Sequence, residues 1–291
     1  MVDDAPHRAC FRERLFPLIW TLLYPLRLYL RRFPIQRGKG MLLRRIVTPL
    51  LPPADTEFDL AVPGAARVGL RYRETLGLSS LLYGTFELAE LTFVSRYLRP
   101  GDMVMDIGAN VGIFSVVMGT TVGASGRVIA FEPVPANIVR LGKNLRKNGL
   151  GNVQVFPLAL GISNGHMMLR MATDPAYPSL REVQGGFGNG TEVPVQVCRL
   201  DGVWDELGRP EIAFVKMDVE GAEADVLRGA SRFLTTCRPT LLVEANSVGE
   251  LDTLRAQLCG LGYRHVRPEG FVPMNHLFIF PASGEKRMSL A

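Results

Sequence analysis

Cysteine is scarce and dispersed in this sequence. The four, Cys10, Cys198, Cys237 and Cys259, show no C-x-x-C spacing, which argues against a zinc site and a disulfide framework and fits reduced thiols in a cytoplasmic setting. Basic charge is missing from most of the chain. Residues 1–50 hold ten Lys or Arg against three Asp or Glu, a balance of +7, whereas the other 241 hold 23 against 25, a balance of −2. A body without basic excess gives no support to nucleic-acid binding. Internal repeats and long low-complexity segments are absent too. With 47% hydrophobic and 21% charged residues the composition is that of a globular protein, and 291 residues suffice for one large domain with an extension or for two modest domains.

The stretch Cys10–Arg32 is rich in Leu, Trp and Tyr and bounded by arginines. Its longest uncharged run, Leu15–Leu26, is too short to span a bilayer and contains Pro17 and Pro25. It lacks a small-residue cleavage site, which speaks against a secretory signal. Two readings stay open: an interfacial segment making peripheral membrane contact through residues 8–32, or a helix folded against its own domain. Residues 1–50 are expected as a basic, apolar segment, 51–100 as a hairpin and helix leading into the core, and 101–291 as the main domain.

MVMDIGANVGIFS at 103–115 changes character twice. A short apolar strand turns at DIGANVG, 106–112, and an apolar run at helical spacing follows. Gly108 and Gly112 permit positive φ and close approach of a ligand, and the helix after them starts with unpaired N–H groups. A nucleotide-like ligand is one reading; a glycine-bearing turn of an ordinary α/β protein is the other.

Strands alternate with helices around this loop. EFDLAVPGAARVGLRYR at 57–73 reads as a hairpin, and Glu87, Leu88, Leu91 and Val94 set a helical period that stops at Pro100. Core strands are expected at Arg127–Glu132, Val153–Leu160, Ile212–Asp218 and Thr240–Ala245, with helices at 135–148, 223–233 and 251–261. Strand-like runs within 166–201 suggest a hairpin-like insertion, whose GGFGNG run at 185–190 reads as a flexible loop. Tyr263–Arg267 and His276–Phe280 suggest a closing antiparallel edge pair. The alternation implies a parallel, doubly wound α/β sheet.

Asp106, Glu132 and Asp218 each end a strand, and in such sheets ligands lie at the carboxyl ends near the topological switch point. Glu132 stands where an acid accepts ribose hydroxyls. Asp106 would repel a pyrophosphate but attract an ammonium and a sulfonium, and the third glycine of G-x-G-x-x-G is missing. Together these favour S-adenosylmethionine over a dinucleotide.

The loop DIGANVG, the segments FEPVPANIVRLGKN and VCRLDGV, and above all KMDVEGAEADVLRGA at 216–230 resemble the FkbM family of S-adenosylmethionine-dependent methyltransferases. The resemblance runs from about Tyr83 to Phe280 and leaves residues 1–80 outside. It implies a Rossmann-like class I methyltransferase fold, a seven-stranded, mostly parallel sheet with an antiparallel edge strand and helices on both faces. It further implies methylation of a hydroxyl oxygen on a small molecule or glycan. By the same resemblance Asp106, Gly108, Asn110 and Gly112 cradle the methionine part, with Asn110 tolerated because Asn reaches left-handed geometry. Glu132 takes the ribose, Pro133 and Ala159 flank the adenine, and Glu87 meets cofactor or substrate.

Asp218 faces the methyl group, and Asp218 or Glu220 would serve as general base if burial raised its pKa. Glu223 reads as a helix N-terminal acid, Lys216 as an ion-pair partner of Asp218, and His265 and His276 as structural. No metal site is assigned, although Asp218, Glu244 and Asn246 are oxygen ligands of a type that suits magnesium. A nicotinamide oxidoreductase and a non-catalytic membrane-docking module are the alternatives.

Overall fold

The computed structural model describes residues 47–53, 56–83, 85–170 and 192–281, together with the isolated helical positions Thr21, Tyr24 and Leu28. The expected loop at 185–190 and the rest of the arginine-bounded N-terminal stretch lie outside the described residues. The chain divides into two compact units. Among the described residues the smaller takes those up to Leu60 and Gly69–Phe86, and the larger takes Ala61–Val68 and everything from Glu87 onward.

In the smaller unit Val47 and Leu51 are buried against Tyr72, Leu78 and Leu81, the last two on α1 (Thr75–Tyr83). The Arg73 guanidinium ties this cluster down by donating to the carbonyls of Pro52 at 2.7 Å and Leu51 at 3.0 Å. The expected hairpin is β1 (Glu57–Val62) paired with β2 (Ala66–Arg71).

The larger unit is built on a seven-stranded sheet. Its strands are β3 (Met103–Ile107), β4 (Arg127–Phe131), β5 (Val153–Phe156), β9 (Phe214–Met217), β10 (Thr240–Glu244), β11 (Arg264–Val266) and β12 (Asn275–Ile279), in the order β11-β12-β10-β9-β3-β4-β5. All neighbours from β10 to β5 run parallel, and β12 pairs antiparallel with both β10 and β11. The closing pair is antiparallel as expected; β12 is its reversed member and lies one place in from the edge. Strands β3 and β9, buried on both faces, read as continuous apolar runs interrupted only by Asp106 and Lys216. Among the described residues no helix is long and apolar enough to cross a membrane.

Helices α2 (Leu88–Tyr97), α3 (Ile113–Val122), α4 (Pro135–Lys147) and α8 (Val248–Gly260) fall close to their expected places. The start of α8 carries a capping arrangement: Ser247 Oγ accepts the Glu250 N–H, while the Glu250 carboxylate accepts the Asn246 N–H at 2.7 Å. Two expected elements are divided. The run Val153–Leu160 splits at Pro157, which has no N–H for a ladder. Its second half, β6 (Ala159–Leu160), joins a separate three-stranded sheet with β8 (Glu192–Cys198) and β7 (Gly165–Arg170) in the order β6-β8-β7. The helix expected over 223–233 is α6 (Glu223–Arg228) followed by α7 (Ser231–Cys237). Here the Gly229 carbonyl accepts the Asp201 N–H, and the Asp201 carboxylate accepts the N–H of Phe233 at 2.9 Å and of Arg232 at 3.2 Å. Asp201, in the short helix α5 (Leu200–Glu206), thus caps α7 where a continuous helix would have used those donors itself.

Candidate active site at the carboxyl ends of the central strands

The loop after β3 is held by its neighbours on both sides. The N–H groups of Gly108 and Ala109 both donate to the Phe131 carbonyl at 2.9 Å, and the Asp218 N–H donates to the Ile107 carbonyl at 2.9 Å. Gly108 has φ 83°, and a Cβ there would fall 1.8 Å from the Asp218 carbonyl oxygen. The end of β9 therefore passes directly against the loop, which a side chain would forbid. Gly112, with φ 90°, abuts Leu141, whose Cδ1 would lie 2.2 Å from a Cβ. Asn110 adopts the left-handed geometry expected of it, with φ 51°.

Glu132 follows β4 and is buried. Its carboxylate accepts the N–H of Asn110 at 2.8 Å and of Val134 at 2.8 Å, and the Asn137 amide at 3.3 Å. Burial raises its pKa, and these three donors work against that rise. Beside it Val134 is buried with Leu169 and Val195, with Ala159 and Val193 packed at the margin. Strands β6, β7 and β8 thus place an apolar wall next to the acid, on the side where Pro133 and Ala159 were expected to flank a ring.

The centre of the site is an ionic cluster that alternation in β9 creates. Lys216 and Asp218 are two residues apart and so share a strand face. Register sets Asp106 of β3 opposite Lys216, and Val243 opposite Met217, which brings Glu244 level with Asp218. Lys216 is only 2% exposed; its Nζ lies 3.6 Å from Asp218 Oδ2 and 5.2 Å from the centre of the Phe114 ring. Burial disfavours its charge, but the surrounding Asp218, Glu87, Glu244 and Asp106 carboxyls outweigh that and hold its pKa above the usual lysine value.

The acids divide the remaining charge unequally. Burial together with a hydrogen bond to Asp218 pushes Glu244 up to about 10. Burial alone would raise Asp218 as well, but the Lys216 ammonium and the hydrogen bond from Glu244 hold it below the usual carboxylate range. The two carboxyls are thus driven apart in pKa, Glu244 upward and Asp218 downward. Burial raises Glu87 to about 7 against the pull of Lys216. Asp106 is raised by burial to about 6, although Ser115 Oγ donates to it at 2.5 Å. The condition set for a general base, that burial raise the pKa of Asp218 or Glu220, is not met at Asp218, where the Lys216 ammonium and the Glu244 hydrogen bond outweigh burial.

Glu87, Asp106, Lys216, Asp218 and Glu244 converge, as do Gly108, Asn110, Gly112 and Glu132 around the loop. Glu220 stands at φ 56° in the turn after β9, within electrostatic reach of Glu244. Glu223 turns back to accept the N–H groups of Val219 at 2.9 Å and Gly221 at 3.3 Å, so it shapes that turn. His265 and His276 are joined at 3.2 Å, Nε2 to Nδ1, and His276 is held near 4 by burial and its charged neighbours. Lys216 is the ion-pair partner of Asp218 that the sequence suggests, whereas the sequence brings Glu244 in only as an oxygen ligand of a type that suits magnesium. The alternation of charge at 216 and 218 inside an otherwise apolar strand signals the first; the meeting of Glu244 with Asp218 across two strands has no such signal. A cavity of about 610 Å³ lies at the opposite ends of β4 and β5, lined by residues such as Gly119, Gly126, Arg127 and Asn152, and contains none of these groups.

This strand order, with one reversed strand next to the edge, a glycine loop after the first central strand and a buried acid after the next, defines a class I methyltransferase fold. A family model described as "Methyltransferase FkbM domain" matches residues 106–265, more than half of the chain. The chain belongs to the FkbM methyltransferase family, and its cofactor is S-adenosylmethionine. It is 26% identical over 182 residues to Methyltransferase 1 of Beauveria bassiana, covering 55% of this chain and 71% of that protein. It is 28% identical over 201 residues to the 31-O-demethyl-FK506 methyltransferase FkbM of Streptomyces tacrolimicus, covering 57% of this chain and 74% of that protein. Among solved structures, the methyltransferase FkbM from Methylobacillus flagellatus is 20% identical with a TM-score of 0.44, over 69% of this chain and 52% of that one.

Proposed function

We propose that this protein methylates a hydroxyl oxygen on a small molecule or sugar. The observation that carries this reading is the position of Asp218 at the carboxyl end of β9, 3.6 Å from the buried Lys216 ammonium and directly against the glycine loop. A relative named for O-demethyl-FK506 methylation supports oxygen as the atom that receives the methyl. The family membership sets the nicotinamide alternative aside.

The residues present fit the cofactor. Carboxyls outnumber ammonium groups in the crevice, which suits a ligand bearing a sulfonium and an ammonium. Asp106, Gly108, Asn110 and Gly112 hold its methionine part, and Glu132 the ribose. A carboxylate has about four lone-pair positions; three on Glu132 are occupied, and the Asn137 amide at 3.3 Å is the partner a diol most readily replaces. Pro133 and Ala159 flank the adenine, and Glu87 faces cofactor or acceptor. S-adenosylmethionine, when bound, supplies a methyl group already activated for displacement, so the protein's task is orientation and proton removal. Asp218 takes the hydroxyl proton; because it is a weak base it does so late, after the oxygen has begun to bond to carbon. Glu220, next along the turn, is the second group placed to assist.

Residues 8–32 carry arginines around an apolar run, and peripheral contact with an anionic membrane is the role their composition supports. The free Cys198, Cys237 and Cys259 support a cytoplasmic setting. Calorimetry with S-adenosylhomocysteine and NAD in parallel tests the cofactor reading: the former is expected to bind, and binding of NAD alone would overturn it.

A further inference from the structure

We infer that Lys216 and Asp218 form a two-point clamp for an uncharged hydroxyl of the methyl acceptor, the ammonium donating to the hydroxyl oxygen and the carboxylate accepting its proton. The inference rests on the methyl-transfer reading above. It starts from an orphaned donor. Lys216 Nζ is buried and makes no hydrogen bond among the described residues, and the carboxylate oxygen paired with it, Asp218 Oδ2, stands at 3.6 Å, beyond hydrogen-bond reach. Phe114 covers another side with a ring face, which attracts the ammonium but accepts no conventional hydrogen bond. A buried ammonium with three unused donors is costly unless a ligand supplies oxygen.

Charge decides which oxygen. The groups facing Nζ are the carboxyls of Asp218, Glu87, Glu244 and Asp106. A carboxylate or phosphate brought to the ammonium would also meet those acids and be repelled. A neutral hydroxyl offers the ammonium an oxygen without adding charge, and its proton then points to Asp218, the carboxylate paired with that ammonium. The clamp therefore selects an alcohol or a sugar hydroxyl without an adjacent anionic group. As the oxygen–carbon bond forms and the carbon–sulfur bond breaks, with its electron pair remaining on sulfur, the hydroxyl proton passes to Asp218 and Lys216 keeps all three of its own. The ammonium steadies the oxygen and holds Asp218 ionised until the proton arrives.

The test needs no acceptor. Sinefungin carries an amine where the cofactor carries its methyl-bearing sulfonium, so its positive charge reports on the clamp, whereas S-adenosylhomocysteine has none there. Calorimetry on the full chain compares the two ligands for wild type and Lys216→Met. Removal of a like charge is expected to shift the affinity ratio toward sinefungin by about tenfold while S-adenosylhomocysteine changes by less than about threefold. An unchanged ratio means that Lys216 only neutralises its neighbours, and equal weakening of both ligands means that it holds the cofactor's own carboxylate; either result overturns the clamp. If Lys216→Met does not fold, Asp218→Asn is expected to shift the ratio about tenfold against sinefungin, and no shift overturns the clamp equally. A wild-type protein that binds neither ligand overturns the methyltransferase reading itself.

Discussion

The Glu132 carboxylate accepts the backbone N–H of Asn110 at 2.8 Å. An acid at the end of one strand thereby closes the glycine loop at the end of the next, and the group proposed to hold the ribose also fixes the loop proposed to cradle the methionine part. Glu132→Ala removes both functions. S-adenosylhomocysteine affinity is expected to fall by roughly 1.5–3 kcal/mol, and the N–H groups of Asn110 and Val134 lose their acceptor at a further cost of about 1–3 kcal/mol in fold stability. Calorimetry and denaturant titration measure the two losses. A variant as stable as wild type with undiminished affinity contradicts the assignment.

Asp218→Asn keeps the shape of the side chain and removes its charge. Turnover is expected to fall by roughly 10²-fold or more, with S-adenosylhomocysteine affinity changing by much less, because the Asp218 backbone and not its carboxylate supports the loop. Steady-state kinetics, once an acceptor is identified, paired with calorimetry gives both numbers. Full turnover in the variant would move the role of proton acceptor to Glu220.

Glu244 makes stability depend on pH. Its pKa is raised from 4.5 to about 10 in the folded protein, so the folded state holds a proton that the unfolded chain releases, and the stability this gives is present below about 4.5 and lost as pH rises toward 10. Glu87 and Asp106, raised to about 7 and about 6, add to the same slope at its acidic end. Thermal melts between pH 5 and pH 9 are expected to show Tm falling as pH rises, and Glu244→Gln is expected to flatten the fall. A slope unchanged in the variant contradicts the raised pKa of Glu244.

Much of this is legible in the sequence. The glycine loop, the acid after the second strand and the strand alternation located the crevice, because each is a local pattern with its own backbone requirement. The breaks at Pro157 and Gly229 were harder. Pro157 was visible but outweighed by apolar residues on both sides, and the interruption at Gly229 depends on Asp201, 28 positions earlier, reaching back to cap α7. The charge state of the site was least legible. Asp218 and Glu244 are 26 residues apart in sequence and meet only through the register of β9 against β10, so no spacing rule reveals that one carboxyl shifts the other.

The basic N-terminal segment gives an independent prediction. Arg8, Arg12, Arg14, Arg27, Arg31 and Arg32 would each contribute on the order of 1 kcal/mol near an anionic surface. The full chain is expected to sediment with anionic vesicles at low salt and to be released as salt screens the charges. Failure to sediment at any ionic strength assigns residues 8–32 to the fold or to a protein partner.

Methyl transfer to oxygen is the central claim, and label transfer tests it most directly. The protein is incubated with S-adenosylmethionine deuterated in its methyl group and a cell metabolite extract, and the products are analysed by mass spectrometry and NMR. The account predicts a labelled methyl ether on an uncharged alcohol or sugar. Label on nitrogen or carbon, or on a hydroxyl flanked by a carboxylate or phosphate, would contradict it.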